Sequence, residues 1–383
     1  TGRYETPHTR WAKPYAGGRI KVTYFIGSPF QGMGTHAREA VEFMQRFDVE
    51  VEAVFYYHFY RKDWFGGVAG HRRLDRLMRE QTRDVFVFQD VTPKLLETCW
   101  MGKGAVNAFR PAVENGTGVV LIGADDGALL AGRQKLEKLP DWLGSGPALE
   151  AATLQKGRIV RMPARPKVPY KVGWRLDYEN WQYELGRAVL WAARREPDCI
   201  LNYRTMRENR GDTEVGEKKA VKEDLERNTL PGEALHFTWQ NLNSEDNPEI
   251  HLTLRRWDGA AQHLSHVDCR SDKGTAPIKL PKLRAGDYRI DAIVRSKRGI
   301  ENFASYPIQV TASSAIRDLK LSSEWAEVGD NFSAEISITA NEDQTLRVKL
   351  VDRQGRVLVR EDRPTKTGQA VHPFRFRVES WMP

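Results

Sequence analysis

The chain has 383 residues, 40% hydrophobic and 29% charged, with 11 Trp and a formal net charge of +8. It is too long for one ordinary domain and too apolar to be disordered, and no run approaches the roughly 18 apolar residues of a membrane-spanning helix. Its 59 basic residues are interspersed with 51 acidic ones and form no block of like charge, which favours a solvated surface and gives no sign of a nucleic-acid partner.

The first 18 residues, "TGRYETPHTRWAKPYAGG", carry neither an initiator Met nor an apolar signal core and read as an N-terminal extension with a trimmed start. From residue 19 to 196 apolar runs alternate with helical stretches: "IKVTYFIG" (20–27), "THAREAVEFMQRF" (35–47), "VEVEAVFYY" (49–57), "LDRLMREQT" (74–82), "DVFVFQ" (84–89), "GAVNAFRPAVENG" (104–116) and "GVVLIG" (118–123). Val/Ile/Phe runs, each reached through a helix, predict a parallel sheet covered on both faces, an α/β flavodoxin-like three-layer sandwich.

Three loops of this half are candidates for chemistry. "IGSPFQGMGTHAREA" (26–40) contains a G-x-G-x-x-A match at Gly32, Gly34 and Ala37, but four residues separate Gly27 from Gly32 and no acid follows at a strand end. A β-to-α loop capped by Thr35 fits better than a dinucleotide site, and no cofactor is expected. "VFYYHFYRKDWFGG" (54–67) is rich in aromatics. Tyr56, Tyr60, Arg61, Trp64 and Phe65 make it a candidate ligand or interface surface, with core packing the alternative reading. "VVLIGADDGALLAG" (119–132) has the outline of a nucleophile elbow, a strand turning sharply into a helix, with Gly123 and Gly127 around Asp125 and Asp126. A helix cap is the most economical use of those carboxylates. With Asp90 at a neighbouring strand end they also offer oxygen ligands for a hard cation, but the expectation is no metal site.

The half closes on "DYENWQYELGRAVLWAARREP" (177–197), a helix with Asp177 as N-cap, Trp181, Leu185, Ala188 and Ala192 on one face, and Pro197 as its stop. After it the period changes. "CILNYR" (199–204), "ALHFTWQN", "EIHLTLRRW", "APIKLPKL", "GDYRIDAIVRS" and "SYPIQVTA" alternate apolar and polar residues between turns, predicting an antiparallel β-sandwich over 197–312. A second follows over 313–383, with a hairpin turning at Gln354-Gly355. At about 70 residues it falls short of the roughly 100 usual for such a sandwich, so a fragment, or strands supplied from elsewhere, is expected. Trp239 and Trp257 read as packing residues. His263 and His266, three apart on a strand of period two, are expected on opposite faces and so not to share a metal. Cys99, Cys199 and Cys269 have neither zinc-ligand nor disulfide spacing and read as buried small hydrophobes.

The stretches "ENGTGVVLIG", "KGRIVRMP" (156–163) and "ENWQYELGRAVLWAARREP" resemble the class I glutamine amidotransferase-like superfamily, in its trehalose-utilisation-like and β-galactosidase trimerisation-domain-like branch. The units over 197–312 and 313–383 resemble bacterial immunoglobulin-like or fibronectin-type modules, with "LRAGDYRIDAIVRSKRG" (283–299) the most telling stretch, which implies two immunoglobulin-like β-sandwiches. The resemblance implies a Cys at the elbow and a His-Glu pair after a later strand. Here the elbow holds Asp125, and no histidine lies between His71 and His236; the region around 160–180 carries Arg161, Arg165, Lys167 and Lys171 instead. A Cys-His relay is therefore missing, and no catalytic residue is expected. The family neighbourhood implies a non-catalytic scaffold or accessory segment of a carbohydrate-active, extracytoplasmic protein. Its partners would be other domains of the same polypeptide or a homo-oligomer. The alternatives are a glycan-binding module using loop 54–67, or part of a glycoside hydrolase whose catalytic domain lies elsewhere.

Overall fold

The computed structural model describes residues 9–28, 33–57, 72, 76–80, 82–89, 103–123, 130–143, 149–166, 174–206, 234–241, 248–269, 272–281, 283–310, 314–352 and 355–381, some of them by backbone alone. The described residues are mostly β, with a seven-stranded mixed sheet, smaller antiparallel sheets and few helices among them. It divides into two compact units, Thr1–Gln309 and Val310–Pro383.

In the first unit, β1 (Ile20–Ser28), β2 (Val49–Tyr57), β3 (Val85–Gln89), β4 (Gly118–Ile122), β5 (Gln134–Lys135), β6 (Glu150–Leu154) and β7 (Gly157–Met162) pair in the order β2-β1-β3-β4-β7-β6-β5. The first five in that order run parallel. The last two extend the sheet antiparallel, so the expectation of a parallel sheet holds for five strands of seven. Side chains alternate between two apolar layers. Val22, Tyr24, Val85, Val87, Val120 and Ile122 share one cluster with Phe43 of helix α1 (Met33–Arg46) and with Leu185 and Val189 of the long helix Trp174–Ala192. Phe25, Phe86, Phe88, Val119 and Leu121 share the other with Phe109 of helix α2 (Lys103–Glu114). Burial on both faces is why these strands read as unbroken apolar runs.

Two glycines let helix ends abut strand starts. A Cβ at Gly118 would lie 2.4 Å from the carbonyl oxygen of Ala192, and one at Gly157 2.3 Å from that of Val113.

The long helix, α3, begins at Trp174, three residues before the expected cap, so Asp177 sits in its first turn, where a carboxylate still favours the helix dipole. Trp181, Leu185, Ala188 and Ala192 are buried as expected, and so are Tyr178, Gln182, Tyr183, Leu190 and Trp191. A helix buried this far round needs a second apolar neighbour besides the sheet.

That neighbour is the antiparallel part of the same unit. It comprises a sheet β11-β10-β13-β14 and a sheet β12-β9-β8, formed by β8 (Cys199–Met206), β9 (Ala234–Asn241), β10 (Glu249–Arg256), β11 (Ala261–Asp268), β12 (Lys273–Ile278), β13 (Gly286–Ser296) and β14 (Gly299–Val310). Phe237 on β9 meets Tyr306 on β14 at 5.2 Å between ring centroids. Phe303 of β14 packs against Tyr183 of α3 at 5.6 Å, against Phe47 at 5.5 Å and against Trp11 at 5.9 Å. Phe303 and Ile300 therefore belong to the same core cluster as the parallel sheet. Residues 11–15 of the expected extension run between the two parts: Ala12 bridges to Phe47 and Tyr15 to Ile300.

The second unit holds a sheet β15-β16-β19 and a two-stranded sheet β17-β18, from β15 (Ala315–Leu321), β16 (Asn331–Ala340), β17 (Gln344–Val351), β18 (Val357–Thr365) and β19 (Gly368–Arg377). The expected β17–β18 hairpin is antiparallel, and Gly355 takes φ +84° in its turn, where glycine is favoured; Gln354 lies outside the described residues.

Candidate functional site

Open parallel sheets bind ligands at the carboxyl ends of their strands. At that edge Gly123 leaves β4 with φ +58°, and its N–H donates to the Met162 carbonyl at 3.0 Å. A Cβ there would come within 2.9 Å of the Ala164 methyl, so the turn and the segment leaving β7 fit closely together. Asp125, Asp126 and Gly127 of the expected elbow, with Asp90 and Cys99, lie outside the described residues. So do Tyr60, Arg61, Trp64 and Phe65. Tyr56 is on β2 opposite Gly27, and only its backbone is described.

What sequence reasoning missed at this edge is a buried polar chain. The Tyr24 hydroxyl donates to Gln89 Oε1 at 2.7 Å, and Gln89 Nε2 donates to Glu39 of α1. Arg165, on the segment after β7, closes the chain with a 3.0 Å ion pair to Glu39, whose side chain is 1% exposed. A buried carboxylate needs a cation and hydrogen bonds around it, and Glu39 has both in Arg165 and Gln89. Two of the basic residues found where the resemblance implies a His-Glu pair thus have structural roles: Arg165 anchors Glu39, and Arg161 lies 3.9 Å from Glu150. Lys167 and Lys171 lie outside the described residues. The sequence signal was Gln89, a lone polar residue ending an otherwise apolar strand.

A second charged network joins the α/β part to the antiparallel sheets. Arg255 of β10 and Asp291 of β13 form an ion pair with side chains 5% and 2% exposed. Ser305 donates to the same carboxylate at 2.7 Å, and the Arg255 guanidinium stacks over Trp11 at 5.1 Å. Arg255 also approaches Glu179 of α3 at 3.9 Å, and Glu179 is bound by Arg46 of α1, which pairs with Glu42 at 3.1 Å. Arg289 donates to Ser305 Oγ at 2.8 Å, and burial, with Arg255 beside it, lowers its pKa to about 10. Arg187 of α3 donates to the Phe303 carbonyl and lies 5.3–5.6 Å from the ring centroids of Trp142, Tyr183 and Phe303. The arrangement fixes two layers against each other.

Two expectations in the antiparallel part need correction. Trp257 is 40% exposed, on the turn between β10 and β11, whereas Trp239 is buried as expected. His263 and His266 do not point to opposite faces. A bulge skips Leu264, so His266 pairs with His251 and His263 with Thr253, two positions on one face of β10. The local period of two is broken by one residue, which single-strand alternation cannot show. Still, no group of three His, Cys, Asp or Glu side chains among the described residues is arranged to hold a metal ion.

Cys199 and Cys269 are free and buried, and desolvation pushes both thiols up to about 12, with Glu301 adding to the effect on Cys199 and Cys199 to that on Cys269. They stay protonated and unreactive at neutral pH, in keeping with small hydrophobes. No helix among the described residues is long and apolar enough to cross a membrane.

No protein-family model matches the chain, and no curated protein matches it. Among solved structures, a cytoplasmic protein from Salmonella typhimurium LT2 is similar over 45% of this chain and 97% of its own, at 10% identity and a TM-score of 0.28. A DUF4785 family protein from Legionella pneumophila is similar over 39% of this chain and 44% of its own, at 15% identity and a TM-score of 0.19. Likenesses this weak carry no argument about fold or function.

Proposed function

We propose that the chain is a non-catalytic scaffold, an accessory segment of a multimodular, carbohydrate-active protein that acts outside the cytoplasm in oligomerisation or domain positioning. In this reading residues 19–196 are a degenerate amidotransferase-like domain of flavodoxin-like fold, followed by immunoglobulin-like sandwiches over 197–312 and 313–383. The strand order β2-β1-β3-β4-β7 supports the first assignment, because it is the 2-1-3-4-5 order of flavodoxin-like folds. Paired antiparallel sheets support the second.

The observation that carries the functional reading is the shared core of the first unit. Trp11, Tyr183 and Phe303, with the Arg255–Asp291 pair beside them, hold the parallel strands and the antiparallel sheets of the first unit together. A domain whose role is to present neighbours at set positions needs that fixity. The elbow sequence supports it too, with Asp125 where an amidotransferase resemblance implies a thiol.

Sedimentation over a range of concentrations, paired with a glutamine-hydrolysis assay, tests the proposal. Self-association without glutamine turnover is the expected result. A strict monomer that hydrolyses glutamine, and loses the activity on Asp125→Ala, would overturn it.

A further inference from the structure

The second unit has a core face that its own strands leave half covered. On β15, Ile316 pairs with Ile338, Leu319 with Ile336 and Leu321 with Ala334 of β16. Partners across an antiparallel pair share a face. Ile338, Ile336 and Ala334 are buried in the unit's core, yet Ile316, Leu319 and Leu321 beside them are 64%, 55% and 52% exposed. The cause is the narrowness of the opposing sheet. Arg363 of β18 stacks on Phe374 of β19 at 4.5 Å, and Thr365 of β18 hydrogen-bonds His372 of β19 at 3.1 Å. So β18 lies over β19, the short turn from Ala340 to Gln344 sets β17 over β16 with Leu346 and Val348 against the core, and the other edge of β17 is therefore on the β15 side. That edge of β17 has no strand partner among the described residues.

A free backbone edge alongside a row of bare apolar side chains selects one kind of occupant. An extended segment added to β17 satisfies the edge with main-chain hydrogen bonds, and its alternate side chains cover Ile316, Leu319 and Leu321. The outward face adds a charge requirement, because Lys349 of β17 lies directly across from Arg360 of β18, whose own carboxylate, Asp362, is already shared with Arg347. We propose that the second unit binds an extended partner segment of about six residues by strand addition at β17, with bulky apolar side chains at alternate positions and carboxylates between them. This case is independent of the scaffold reading.

The test uses the full 383-residue chain and a labelled peptide alternating valine with glutamate and threonine, read by fluorescence anisotropy. The chain should bind that peptide and not a version with proline at alternate positions. Leu319→Asp and, separately, Ile316→Asp should each weaken binding at least about tenfold, with thermal midpoints preserved because both side chains are mostly exposed. Lys349→Glu should weaken the acidic peptide and favour one carrying lysine in place of glutamate. The proposal fails if no peptide binds, or if neither aspartate variant affects binding. It fails equally if sedimentation shows the chain alone forming a dimer that Leu319→Asp disperses, since the occupant is then a second copy.

Discussion

The two units solve the same problem, closing an apolar face, in opposite ways. In the first, α3 is buried between the parallel sheet and β14, and charges that enter the core are paired: Arg255 with Asp291, Arg46 with Glu42 and Glu179. In the second, ion pairs such as Arg347 with Asp362 at 2.8 Å lie at the surface, and the core face runs out from under its cover at β15. The difference teaches where each unit is committed. Buried pairs specify one arrangement and penalise any other, whereas an open face leaves the choice of cover to whatever binds.

The largest effects should therefore come from breaking pairs in the first unit. Arg255→Ala leaves Asp291 buried without its cation and should lower stability by about 3–5 kcal/mol in urea unfolding. The double variant Arg255→Met with Asp291→Leu should lose less than Arg255→Ala, because Asp291 is no longer left buried opposite a missing cation. Next come the close approaches. Gly157→Ala forces a methyl against the Val113 carbonyl and should cost about 1–3 kcal/mol. In the second unit Gly355→Ala meets nothing within 4 Å and pays only for its φ of +84°, about 1 kcal/mol.

Alkali should separate the units further. The folded first unit keeps the Cys199 and Cys269 thiols protonated up to about 12, whereas an unfolded chain gives those protons up near 9.0. Stability present below pH 9 is thus lost as pH rises from about 9 toward 12, and Cys199→Ala should flatten that fall. The second unit contains no cysteine and should not show this loss. Smallest of all, Arg347→Ala removes an exposed pair and should leave the thermal midpoint where it is, with any residual shift gone by about 0.5 M salt.

Much of this architecture is legible in the sequence, for reasons that also mark the limits. The strands of the parallel sheet stand out because both faces of "VFVF" and "VVLI" are buried, and the long helix because Trp181, Leu185, Ala188 and Ala192 repeat at helical spacing. The bulge at Leu264 is invisible because alternation is a local signal and a one-residue slip depends on the neighbouring strand. The Glu39–Arg165 and Arg255–Asp291 pairs join residues 126 and 36 positions apart, and nothing in single-chain patterning couples them. Trp11 looks like part of a tail until Tyr183 and Phe303 are placed around it. At the sheet edge, sequence reasoning marked the Gly123 turn but not the Tyr24–Gln89–Glu39 chain, because a lone polar residue ending a strand also fits an ordinary turn.

The central claim is that the parallel sheet and the β10–β13 sheet are held as one unit through a shared core. Native-state hydrogen exchange of Arg255→Ala tests it most directly. The account predicts that amides of α3 and β4 lose protection together with those of β10 and β13, by the same free energy. Faster exchange confined to β10 and β13, with α3 and β4 unchanged, would contradict it.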